Sequence, residues 1–150
     1  MSVKLEAFNW DSIPITAVQS ANPAAGADPV GLTVAAGKRV LLIGAAFTLV
    51  TDANAANRLL TMTIRPDGTN ELILVSSTTA HTASLTRYYR WQVAKTYGET
   101  LVGSIYIMGL GIASGSIEIP AGGTVSFAIT NKQVGDDASA TTLYYKEAPA

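Results

Sequence analysis

"RLLTMTIRPDGTNELILVSST", Arg58 to Thr78, decides the fold. In its first part Leu60, Met62 and Ile64 fall on one side of an extended chain, and Thr61, Thr63 and Arg65 on the other. "PDGTN", Pro66 to Asn70, places Pro and Gly where the chain must reverse. "ELILVSST" then runs back, so the stretch reads as a β-hairpin.

The same vocabulary extends outward in both directions. "RVLLIGAAFTLVT", Arg39 to Thr51, is apolar enough for a helix. Gly44 and the β-branched Val40, Ile43, Thr48, Val50 and Thr51 favour a long strand instead. "DANAAN", Asp52 to Asn57, is a loop. "KTYGE", Lys95 to Glu99, reads as a break, and "TLVGSIYIMGL", Thr100 to Leu110, as one strand. A short "IEI" (Ile117 to Ile119) and a "PAGG" turn lead into "TVSFAIT", where Val125, Phe127 and Ile129 face inward. The polar loop "NKQVGDDASA" precedes a last strand, "TTLYYKE", Thr141 to Glu147. About eight strands separated by Gly, Pro, Asn or Asp predict an all-β, antiparallel, jelly-roll-like sandwich over residues 36–150.

Residues 1–35 differ. Pro14, Pro23 and Pro29 interrupt any ladder, yet Phe8, Trp10, Ile13, Ile15 and Val18 are too apolar for a solvated tail. This is the pattern of an extended N-terminal arm laid on a surface: its own domain, a sister subunit or another protein. Phe8, Trp10, Ile13 and Ile15 are the candidate interface residues of that arm.

Bulk composition narrows the function. A chain of 150 residues makes one domain with a sizeable core. A net charge of −1 provides no field to draw the chain to nucleic acid or an anionic membrane. The charged fraction is 14 %, against roughly 25 % in soluble domains generally. Mean hydropathy is +0.27, so the chain reads as a subunit whose surface is covered by neighbours. The longest apolar run, Val40 to Val50, is far short of the about 20 residues a membrane span needs. The N-terminus lacks a secretion pattern, and without cysteine there are no disulfides and no thiolate metal sites.

"SLTRYYRW", Ser84 to Trp91, is the stretch most open to a functional reading. As a strand it sends Leu85, Arg87, Tyr89, Trp91 and Val93 one way and Thr86, Tyr88, Arg90 and Gln92 the other. The two arginines diverge, whereas a nucleic-acid site gathers cations beside stacking aromatics. Arg87, Tyr88, Tyr89 and Trp91 are therefore expected in packing or in a subunit contact. Arg87, on the apolar side, needs a carboxylate or a carbonyl as partner. A sugar platform of Tyr88 with Tyr106, Tyr144 or Tyr145 is the competing reading.

Catalytic constellations are scarce. His81 sits in "STTAHTAS" and is expected as an exposed loop histidine, without a G-x-S-x-G elbow to make a triad. Asp52, Asp67, Glu99, Asp136 and Asp137 are scattered in turns, not paired as glycoside hydrolysis requires. "GDDAS", Gly135 to Ser139, reads as a solvated turn and lacks the alternating ligands of a calcium loop. The expectation is a protein that is not an enzyme, with no cofactor and no metal.

Several segments together resemble a known family: "AGKRVLLIGAAFTL", "DANAANRLLTMTIR", "ASLTRYYRW", "IEIPAGGTVSFAIT" and "DDASATTLYYKE". From about Ala36 to Glu147 the chain resembles the small jelly-roll decoration (cement) and minor head proteins of tailed bacteriophages. The resemblance implies a homotrimer seated where major capsid protein subunits meet, on the outer capsid surface of the virion, after synthesis in the host cytoplasm. The same vocabulary occurs in phage fibre-tip modules, which makes a receptor- or carbohydrate-binding tip, with a glycan as partner, the alternative.

Overall fold

A computed structural model describes residues 9–93, 97–111 and 117–150, with only the backbone of Tyr97. After a 3-10 turn at Trp10–Ser12, the described residues form twelve strands. They are β1 (Thr16–Gln19), β2 (Leu32–Thr33), β3 (Lys38–Val50), β4 (Leu60–Arg65), β5 (Ile73–Ser76) and β6 (Thr86–Gln92). There follow β7 (Tyr97–Val102), β8 (Ile105–Leu110), β9 (Ile117–Ile119), β10 (Thr124–Ile129), β11 (Asp137–Ala138) and β12 (Thr142–Pro149). The larger sheet has the order β1-β12-β3-β6-β8-β7, with β9 and β11 also paired to β3. The smaller has the order β2-β10-β4-β5. Every pair is antiparallel except β6 with β8. The protein is an all-β sandwich.

Alternation along the strands builds the core. Leu42, Ala45, Phe47 and Leu49 of β3, with Tyr89 and Trp91 of β6 and Met108 of β8, are buried beneath the larger sheet. Leu60, Met62 and Ile64 of β4 and Val125, Phe127 and Ile129 of β10 meet them from the smaller one. Phe47 stacks on Trp91 at 5.2 Å and on Tyr89 at 5.8 Å, and Phe127 meets Phe47 edge-on from the opposite sheet at 5.6 Å. Each leucine, isoleucine, valine, methionine or phenylalanine among them contributes about 1.5–3 kcal/mol by leaving water, and each aromatic pair about 0.5–1.5 kcal/mol more.

The hairpin read from Arg58 to Thr78 is present, with Ile64 opposite Ile73 and Thr61 opposite Ser76. Its turn closes on Asp67, whose Oδ1 accepts from the backbone N–H groups of Thr69 and Asn70, while Gly68 takes φ +77°.

Two expectations about strands need correction. "TLVGSIYIMGL" is not one strand but two, β7 and β8, folded on each other with Val102 opposite Ile105. Gly103 takes φ +58° and supplies the first residue of a two-residue reversal, so an apolar run hides a hairpin. "KTYGE" is likewise no simple break, since β7 begins within it at Tyr97. The four strands beyond the expected eight are β7 and the short β1, β2 and β11.

Of the three surfaces open to the N-terminal stretch, residues 16–19 and 32–33 lie on the chain's own sheets. β1 pairs β12 at one edge of the larger sheet, and β2 pairs β10 at one edge of the smaller. Gly31 explains how closely β2 approaches, because a Cβ there would lie 1.9 Å from the Val125 carbonyl oxygen.

Candidate functional site

The outer face of the larger sheet carries a groove along β3. Register fixes its members. Tyr144 lies opposite Gly44, which lies opposite Gln92; Thr142 lies opposite Ala46, which lies opposite Arg90; Thr48 lies opposite Tyr88. Small residues on β3 therefore make the floor, and longer side chains of β6 and β12 make the walls. Gln19 of β1 flanks Thr142. The hollow has two adjoining parts of about 240 and 190 Å³, which share Ala46 and Arg90.

Gly44 is required by backbone, not by the groove. At this point β3 has one residue more than β12, so the pairing steps from Gly44–Tyr144 to Leu42–Tyr145. A Cβ on Gly44 would meet the Trp91 carbonyl oxygen at 2.4 Å, and β6 would be pushed away.

Arg90 is the only charged residue lining the groove among the described residues. It is exposed, and its side chain makes no hydrogen bond or ion pair with a described residue. Tyr88 and Tyr144 are 52 % and 38 % exposed, with their rings turned to solvent at the two ends. The groove thus holds a free guanidinium, two aromatic faces and the polar ends of Gln19, Gln92, Thr48 and Thr142.

The β6 residues singled out by sequence separate by face. Tyr89 and Trp91 are core, Tyr88 is on the groove, and Arg87 is half-buried with its Nη1 donating to the Ala80 carbonyl at 3.0 Å. The sugar platform needs correcting as well: Tyr106 and Tyr145 are buried, and only Tyr144 joins Tyr88 outside. Alternation already placed Arg90 and Gln92 beside Tyr88. On β12, alternation from buried Leu143 turns Tyr144 outward; what the sequence does not show is that β12 lies beside β3, because that is a pairing of distant strands.

The arm residues lie elsewhere. Trp10 is half-buried against its own sheet: its indole N–H donates to Glu118 at 3.0 Å, and its carbonyl accepts from Lys146 Nζ at 2.8 Å. The Arg39 guanidinium lies 5.8 Å from the ring centre. Ile13 is half-buried, Ile15 is 56 % exposed, and Phe8 lies outside the described residues.

A second polar cluster lies inside. Arg58 is fully buried, and all five of its N–H donors are used. Nε and Nη2 grip Asp136 at 2.9 and 2.8 Å, Nη2 also reaches Asp52 at 2.7 Å, and Nη1 donates to the carbonyls of Asn54 and Ala56. The hydrogen bond and charge of Asp136 raise the Arg58 pKa against the cost of burial. Burial would push the Asp136 carboxyl up, but Arg58 and the backbone N–H groups of Gln133 and Asp52 hold it below its ordinary value. "GDDAS" is therefore no solvated turn, since Asp136 is 2 % exposed and closes an ion pair.

His81 is likewise not an exposed loop residue. It is fully buried and exchanges backbone hydrogen bonds with Arg58. Its Nε2–H donates to the Leu85 carbonyl at 3.1 Å, so Nδ1 accepts from the Tyr89 hydroxyl at 3.1 Å. Burial, then the nearby Arg87 and Arg58, lowers its pKa, while the Leu85 bond and Asp136 oppose. Burial pushes the Tyr89 hydroxyl up to about 12. With both ring nitrogens occupied, His81 ties two loops together.

No protein-family model matches the sequence, and comparison with curated proteins and with solved structures gives no match either.

Proposed function

We propose that this chain is a structural subunit of a bacteriophage particle, a non-enzymatic capsid decoration protein that assembles as a homotrimer on the major capsid protein. One observation carries the reading: the outermost strands of both sheets lie along one flank and expose large apolar side chains. Leu72 and Leu74, beside and within β5, are 63 % and 59 % exposed; Leu101, Val102 and Ile105 of the β7–β8 hairpin are 41 %, 64 % and 39 % exposed. The two edges are tied together, because the Thr78 backbone N–H just past β5 donates to Glu99 of β7 and to the Tyr106 hydroxyl of β8. Among the described residues no strand pairs with the outer side of β5 or β7. Open edges with apolar side chains are what a monomer avoids and an assembling subunit uses.

The low charge of the chain and its resemblance to cement proteins support the same reading. The test is titration of empty, expanded capsids with the purified protein. Binding should saturate at a fixed number of copies per shell and raise the shell's heat tolerance. Leu72→Asp combined with Leu101→Asp, both at exposed positions, should abolish that binding or the trimer while leaving the β-sheet circular dichroism unchanged. Unsaturable or absent binding by the wild type overturns the proposal.

A further inference from the structure

We infer that the groove along β3 is a binding site for a short carboxylated oligosaccharide, with Arg90 holding the carboxylate and Tyr88 and Tyr144 stacking on sugar rings. The inference is separate from the flank and holds for a subunit of a shell or of a fibre.

Charge comes first. A guanidinium with five donors and no partner is matched best by a planar, two-oxygen anion. Arg90 stands in a hollow with no carboxylate on its walls among the described residues, and none of these residues pairs with its side chain. A ligand carboxylate meets it without displacing an internal ion pair.

Shape comes second. Tyr144 and Tyr88 are separated by two strand spacings and four residue steps. With strands about 4.8 Å apart and residues rising about 3.3 Å, their Cα atoms lie roughly 16 Å from each other. That spacing suits a few linked rings lying across the sheet, with Arg90 between the two aromatic faces. One small carboxylic acid would leave both tyrosines unused.

The kind of hydrogen bonding comes third. An extended acidic peptide gains its affinity by adding to a sheet edge. Here the floor strand β3 is paired along both sides, so its backbone is spent in ladders. What the walls offer is side-chain amides and hydroxyls, from Gln19, Gln92, Thr48 and Thr142. Such groups serve a ligand rich in hydroxyls, and tyrosine faces serve the C–H side of a sugar ring.

The experiment is an array of matched oligosaccharide pairs, sialylated or uronic-acid glycans each beside its neutral parent, probed with the labelled full chain. Calorimetry on the best acidic glycan follows. The acidic member should bind at least about tenfold more tightly than its parent, and this preference should shrink in high salt. Arg90→Ala should lose about tenfold or more and erase the preference. Arg90→Lys should recover part of it, and Tyr144→Ala should lose several-fold. Arg65→Ala, a charge change on the other sheet, should bind as wild type. No acidic glycan bound at millimolar concentration, equal binding of acid and parent, an unaffected Arg90→Ala, or tighter binding of a poly-glutamate peptide would each overturn the inference. Capsid binding is read separately, so failure here leaves the assembly role standing.

Discussion

Arg58 and Arg90 bring the same guanidinium into opposite circumstances. The first is sealed beneath loops with every donor used, two carboxylates facing it and two carbonyls closing the fork. The second stands on an open sheet face with no side-chain partner among the described residues. A buried charge is retained only when its surroundings are built for it, so Arg58 reports on the fold. An exposed one among tyrosines, amides and hydroxyls costs the fold nothing and is available to something else. Position along a strand separates the roles, not residue type.

The strongest way to break this contrast is at Arg58. Arg58→Met keeps much of the side-chain volume but leaves Asp136 buried without its cation. Removing one member of such a pair costs about 3–5 kcal/mol. For a domain of this size that lowers Tm by roughly 10 °C. Asp52 and Asn54 in one loop and Gln133 and Asp136 in another would lose their common anchor, so hydrogen exchange should rise in both loops before the core opens. Thermal unfolding with site-resolved exchange checks this; a Tm within about 2 °C of wild type would remove Arg58 from the interior framework.

Acid tests the same cluster through His81. Its folded pKa lies below the ordinary value near 6.5, so the unfolded chain binds the proton more readily. The neutral ring therefore contributes stability above about pH 6.5 that is lost as pH falls toward its folded pKa. Asp136, also depressed, adds a second loss below its ordinary carboxylate pKa. The groups facing the ring are Arg58, Arg87, Asp136, the Tyr89 hydroxyl and the Leu85 carbonyl. Denaturant unfolding between pH 7.5 and 5 should show declining stability in the wild type and a flatter profile in His81→Gln. Equal stability of the wild type across that range would contradict the neutral, twice-bonded ring.

The legibility of the fold follows from the same physics. Strand faces were readable where neighbours alternate, as in Leu60–Met62–Ile64 and Val125–Phe127–Ile129, because a half-buried strand imposes period two on its own sequence. The turn at Gly103 was not, since apolar residues continue through the hairpin and only a glycine-serine pair marks the reversal. The burial of His81 and Asp136 is hidden from the sequence for a different reason. Their burial depends on Arg58, 23 and 78 positions away in the chain, and a polar residue in a loop has the same neighbours whether solvated or locked. On the groove, β6 supplies one wall by alternation and β12 places Tyr144 outside and Tyr145 inside in the same way, but that these two strands flank β3 is a long-range pairing with no local signal.

The smallest expected effect sharpens the contrast most. Arg90→Ala removes a side chain that bonds to no described residue, so its stability should fall within about 0.5 kcal/mol of wild type. Unfolding at neutral pH, beside Arg58→Met under the same conditions, is the measurement. If Arg90→Ala proved strongly destabilising, the guanidinium would be part of the fold, and any loss of glycan binding in that variant would report a damaged sheet. If it is silent in stability, a loss of binding belongs to the contact itself. The neutrality of this one substitution is therefore what allows the binding experiment to speak about the groove.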